Sequence, residues 1–147
     1  MAKIKKLAKN HQLYKPINTE KYLGRQMPIC RSTWEYSFCR YLDYNINVKK
    51  WDSESIVIQY VDPLNPMKKR RYFPDFYIEF INGRKWVVEI KPFKETIQPT
   101  NRGKKSNKTK IYENKTWKTN TNKWKAAEIY CKRMNYKFVI LTEKDLF

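Results

Sequence analysis

Residues 72–91, YFPDFYIEFINGRKWVVEIK, leave this chain little freedom. Two runs rich in aromatic and β-branched residues flank Asn82-Gly83, the pattern of a β-hairpin. An Asn-Gly pair usually closes a two-residue type I′ turn. That register would set Phe76 against Glu89, Ile78 against Val87 and Asp75 against Ile90, so the strands would present mismatched faces. A three-residue loop, Ile81-Asn82-Gly83, with Gly83 left-handed in a bulge, is the alternative. It pairs Phe80 with Arg84, Ile78 with Trp86 and Phe76 with Val88, and Ile90 extends the same apolar face. A slip of one residue turns every side chain to the other side of a sheet, so burial selects the three-residue loop.

This register has a chemical consequence. The second face sets Glu79 against Lys85, Tyr77 against Val87 and Asp75 against Glu89, with Lys91 two residues further along. Opposed side chains lie within roughly 5 Å at Cβ, and like charges there are destabilising. A shared proton, the Lys91 ammonium or a divalent cation would each relieve the pair. Acids are scarce: 14 Asp and Glu stand against 32 Lys and Arg, a net charge of +18. One histidine, His11, and three widely spaced cysteines, Cys30, Cys39 and Cys131, offer few nitrogen or sulfur donors. Hard oxygen ligands favour Mg²⁺ or Mn²⁺. A cation held by two carboxylates with open positions can polarise a phosphate and generate hydroxide. Lys91 would orient the water or stabilise charge on the phosphate. Pro-Asp can also simply open a strand, and Glu-x-Lys can mark a solvated strand face. The shared register and the basic background favour the metal seat.

The remaining segments predict one domain of 147 residues. Residues 1–27 read as a basic arm or irregular wrap. Residues 32–45 read as a helix with Trp34, Phe38, Tyr41 and Leu42 on one face. Ser32 is its N-cap and Glu35 completes a capping box, a role that by itself contributes about 1 kcal/mol or less. Residues 48–51 read as a short strand or bend, and 55–61 as a buried strand. Residues 62–71, with Lys68, Lys69, Arg70 and Arg71, read as a solvated loop. Residues 93–114, with Arg102, Lys104, Lys105, Lys108 and Lys110, read as a long basic loop. A second helix is expected from about 117 to 134, burying Trp124, Ala127, Tyr130, Cys131 and Met134, and a strand over 136–142. Packing accounts for Trp34, Trp51, Trp86 and Trp124, while Trp117 stays open. This order predicts the α/β class, helices packed on a mixed sheet.

The charge attracts polyanions, nucleic acid first and an anionic membrane surface second. No run approaches the ~20 apolar residues of a spanning helix. The N-terminus MAKIKKLAKN lacks the apolar core of a signal peptide, so the chain is expected not to be secreted. The cysteines read as reduced, mostly buried thiols. Both internal basic segments would flank the cleft at Asp75 and contact phosphates without reading sequence. The N-terminal lysines would grip DNA or a virion partner, or form a tail.

Glu35 on a first helix, Pro74-Asp75 on a strand and Glu89-Ile90-Lys91 resemble the PD-(D/E)xK nuclease superfamily. RSTWEYSFCRYLDYNINVKKWDSE, followed by IVIQY, RYFPDF and WVVEIKP, is similar to the TnsA-type transposon endonuclease branch. With YKPINTEKYLG and KWKAAEIYCKRMNYKFVILTE added, the likeness is closer to the head-completion nucleases of T-even-like tailed phages, over nearly the whole chain. The resemblance implies a restriction-endonuclease-like core and Mg²⁺-dependent hydrolysis of DNA phosphodiesters. It implies metal binding by Asp75, Glu89 and the Ile90 carbonyl, action of Lys91 on the attacking water, and a Glu35 that bears on the metal or its water. It also implies a place in head completion after DNA packaging, in the host cytoplasm or the virion, with DNA and head or portal proteins as partners. Cutting both strands would require a homodimer or two successive cuts. The rival readings are a catalytically silent DNA- or portal-binding protein, and an RNA-binding basic protein, which explains the charge but not the opposed acids.

Overall fold

The hairpin adopts the three-residue loop. Phe76 lies opposite Val88, Tyr77 opposite Val87, Ile78 opposite Trp86 and Glu79 opposite Lys85. The Phe80 N–H donates to the Arg84 carbonyl at 2.8 Å, and Gly83 closes the turn at φ 87°. The Asn-Gly preference for a two-residue turn yields to the matched apolar face.

The computed structural model describes residues 10–100 and 103–146. In chain order these form β1 (Gln12–Leu13), β2 (Ile29–Cys30), α1 (Thr33–Tyr44), β3 (Val48–Ser53), β4 (Ile58–Val61), β5 (Lys69–Tyr72), β6 (Phe76–Phe80) and β7 (Lys85–Ile90). A 3₁₀ turn (Phe93–Glu95), α2 (Asn107–Met134), β8 (Lys137–Leu141) and α3 (Glu143–Leu146) follow. The central sheet has the order β3-β6-β7-β8. β7 and β8 run parallel and the other pairs antiparallel, so the sheet is mixed as expected.

One face of the sheet carries Phe76, Ile78, Val88 and Ile90 into a core with Phe38, Cys39 and Leu42 of α1, Trp51 of β3 and Tyr14. A second cluster joins Ile58, Tyr60 and Tyr72 to Ala127 of α2, with Phe138 of β8 packed against it. The two helices therefore pack on opposite faces, as binary patterning of a sheet requires. The three cysteines are free and buried, with the Cys30 and Cys39 sulfurs 3.6 Å apart.

Several expectations are corrected. Residues 48–51 extend into the six-residue edge strand β3. β4 does not join the central sheet but pairs with β5, so residues 69–71, expected as loop, are strand. Consecutive cations hide that strand because its cross-strand bonds are made by the backbone, whatever its side chains. The expected loop over 93–114 ends early, because α2 starts at Asn107 with Ser106 as its cap, accepting the Thr109 N–H at 3.1 Å. No Gly or Pro interrupts residues 104–134, so the helix propagates through polar residues that carry no apolar period. Tyr41 and Met134, expected inside, are exposed, and Asp43 takes an inner position on α1.

The N-terminal wrap has a specific anchor. Asp43, fully buried, accepts from the Tyr14 hydroxyl at 2.5 Å, the Ile17 N–H at 2.8 Å and the Asn18 N–H at 2.9 Å. Lys21 and Leu23 bond the main chain of Trp51 and so cover the outer edge of β3. The lysines of residues 1–9 lie outside the described residues. Among the described residues no helix is long and apolar enough to cross a membrane.

Candidate active site

The site forms where β6 begins and β7 ends. Asp75 immediately precedes β6, and its carbonyl accepts the Glu54 N–H at 3.1 Å. One Asp75 carboxylate oxygen accepts the Ile90 N–H at 2.8 Å. Glu89 is 7% exposed, and its Oε2 accepts the Tyr72 hydroxyl at 2.6 Å. Its Oε1 lies 3.9 Å from the Lys91 Nζ. The Lys91 N–H bonds the Leu141 carbonyl on β8. Because successive residues of a strand address opposite edges, the Ile90 carbonyl shares the edge that its N–H presents to Asp75.

Burial and the Glu89 charge push the Asp75 pKa well above the usual carboxylate range, and Glu35 adds to the rise. The Ile90 N–H and Lys91 oppose it. Burial likewise raises Glu89, against the Tyr72 hydroxyl, Lys91 and Lys123. Two acids, both raised by burial, thus lie together with Lys91 beside one of them, a pattern concentrated at functional sites.

Glu35 sits in the first turn of α1. Its N–H bonds the Ser32 hydroxyl at 3.1 Å, and its carboxylate accepts from Arg31 rather than from Ser32, so the capping box closes one residue early. Its charge reaches Asp75, but among the described residues no three Asp, Glu, His or Cys side chains converge to hold a metal.

The two basic segments meet each other. The turn after β4 and the first half of α2 line one shallow groove with Leu64, Lys110, Ile111, Lys115 and Lys118. Lys68, Lys69 and Arg71 are exposed on the β4–β5 ribbon, and Lys104 and Lys108 are exposed at the start of α2. Arg70 is engaged with Asp62 at 2.6 Å, and Lys105 with Glu113 at 2.8 Å. Arg102 lies outside the described residues.

Sequence reasoning missed Tyr72 and Lys123. Tyr72 reads as the first residue of the hairpin strand over 72–80, whereas it ends β5 and β6 starts only at Phe76; Lys123 carries no local signal. The signal for Tyr72 is alternation: with β5 recognised as a strand, the buried Tyr72 points inward.

Residues 45–143 match the model of the TnsA-like endonuclease N-terminal domain. The match spans Asp75, Glu89 and Lys91 and begins after Glu35. The chain is also 41% identical over 138 residues to the head completion nuclease of Enterobacteria phage T4, with 89% of each chain covered. Coverage of this extent, on a mixed sheet that ends in Asp75, Glu89 and Lys91, makes the chain a nuclease of the TnsA-like endonuclease family.

Proposed function

We propose that this nuclease hydrolyses DNA phosphodiesters in a Mg²⁺- or Mn²⁺-dependent reaction during phage head completion. The observation that carries the chemistry is Asp75 facing Glu89, with the Ile90 amide on one acid and Lys91 beside the other. The role in head completion is carried over from the T4 relative.

The donor set suits a hard divalent ion. Asp75 and Glu89 each engage one oxygen in a protein hydrogen bond, which leaves a second oxygen for a ligand. Burial raises both acids, and the Glu89 charge raises Asp75 further, so a cation would favour their ionised forms. Asp75, Glu89 and the Ile90 carbonyl would hold the ion, and water and phosphate would complete its shell. Such an ion supplies Lewis-acid polarisation of the phosphate and a more acidic bound water. Tyr72 fixes the orientation of Glu89. Lys91 holds the attacking water in line and offsets charge that develops on the phosphate. Glu35 biases the protonation of Asp75 through space and orders water at that end. Lys68, Lys69, Arg71, Lys104 and Lys108 bind flanking phosphates, in keeping with the +18 charge. Cutting of both strands follows from two copies or two successive events, next to head or portal proteins.

The test is plasmid cleavage with and without Mg²⁺ or Mn²⁺, beside Asp75→Ala and Lys91→Ala. Each substitution is expected to slow cutting by at least about 1,000-fold, the several kcal/mol that such charge stabilisation supplies. Cleavage that survives in EDTA or in Asp75→Ala removes the proposed centre. A wild type that binds DNA but never cuts supports a silent binding protein instead.

A further inference from the structure

α2 delivers a second cation to the site. Lys123 stands one turn before Ala127, which is fully buried, so its stem is carried toward the core. Its ammonium lies 5.8 Å from the centre of the Tyr60 ring and 5.6 Å from that of Tyr72. Tyr72 passes its hydroxyl on to Glu89 at 2.6 Å. Lys123 is therefore one aromatic ring away from a site carboxylate. Its charge is felt by both Glu89 and Lys91, and burial and Lys91 together lower its pKa.

Among the described residues Lys123 makes no hydrogen bond or ion pair. Contact with aromatic faces is worth about 0.5–1 kcal/mol at exposed sites and more where water is excluded. That gain is set against the partial desolvation of an ammonium near another ammonium. Two lysines, one just after β7 and one on α2, thus share one acid of the pair. The arrangement gains most when an anion enters between them, and a compact ammonium is a common phosphate ligand.

Resting on the nuclease reading of this centre, we infer that Lys123 contacts a non-bridging oxygen of the scissile phosphate from the α2 side, which leaves Lys91 to the attacking water. The other role open to it is ring packing alone. Lys123→Met keeps the stem and removes the charge, whereas Lys123→Arg keeps the charge. Lys123→Met is expected to cut DNA at least about 100-fold more slowly, the scale of losing one charge-stabilising donor. In EDTA it is expected to bind a short duplex several-fold more weakly, with the salt slope reduced by about one. Lys123→Arg is expected to recover most of that affinity. A Lys123→Met protein that cuts and binds like wild type overturns the inference. Footprinting of wild-type lysines by acylation avoids any question of misfolding. Loss of Lys123 labelling on DNA binding in EDTA supports the contact, and unchanged labelling overturns it. A wild type that cuts no DNA with either metal defeats the nuclease reading itself, a different outcome from an active wild type with an equally active Lys123→Met.

Discussion

Ile90 donates its main-chain N–H to Asp75 at 2.8 Å, across the point where β6 and β7 part. The bond orients the acid but does not relieve it of Glu89. Both acids hold protons more tightly in the folded chain than in the unfolded one. The folded state therefore binds more protons, and stability falls as pH rises from the unfolded carboxylate values through the raised folded ones. Asp75→Asn keeps an oxygen for the Ile90 N–H and removes one charge. In EDTA at neutral pH it is expected to melt higher than wild type by a few degrees, about 1 kcal/mol corresponding to roughly 2–4 °C at this size. The gap is expected to close below about pH 4. Thermal melts at pH 4 and pH 8 check this, and identical curves for both proteins would show that the acids are not opposed in solution.

A bound ion is expected to reverse that order. Mg²⁺ or Mn²⁺ at a hundred times its dissociation constant stabilises a one-site protein by about 2.7 kcal/mol. Wild type is expected to gain on that scale and Asp75→Asn far less. Equal shifts for both proteins would place the ion elsewhere.

Asp43 predicts the opposite dependence on acid. Its burial would raise its pKa, but the donors from Ile17, Tyr14 and Asn18 outweigh burial and hold it below the ordinary value. Its contribution is complete above the unfolded pKa and is lost as pH falls through the lower folded one. Asp43→Ala strands three donors and is expected to cost about 2–4 kcal/mol at pH 7. Urea midpoints measured from pH 2 to 7 are expected to converge for variant and wild type at the acid end. Faster hydrogen exchange over residues 14–21 in the variant would locate the damage in the wrap.

Gly83 tests the hairpin register. A Cβ placed there meets nothing within 4 Å, so the penalty of Gly83→Ala comes from φ 87° alone. About 1–2 kcal/mol is expected, visible as a lower melting temperature with DNA cleavage intact. No loss of stability would mean that the turn is not held left-handed.

Lys104 and Lys108 are exposed at the head of α2. Neutralising both is expected to weaken DNA binding uniformly across sequences and to lower the salt slope by about 0.9 per lost contact. Titrations at several salt concentrations measure this directly. An unchanged slope would take this end of the helix out of the interface.

The hairpin was legible because the alternating apolar positions of both strands agree on one register, and Asp75, Glu89 and Lys91 came with it. The start of α2 was not, because a helix of Lys, Asn and Thr carries no apolar stripe; only the Ser106 cap and the lack of Gly or Pro mark it. β5 was obscured by its charges. Asp43 shares the inner stripe of α1 with Cys39 and Leu42, but its donors come from more than twenty residues away. Lys123 lies beyond any local pattern, since its meaning comes from Tyr60, Tyr72 and Glu89 on three different strands.

α2 runs for 28 residues, about 42 Å, yet its buried side chains begin only at Asn120. Its leading turns can therefore exchange residues without disturbing the core. Trp117, which packs on Trp124, is where the helix begins to be tied down. The helix thus joins two different objects: a trailing half fastened to the sheet, and a leading half held mainly by its own backbone.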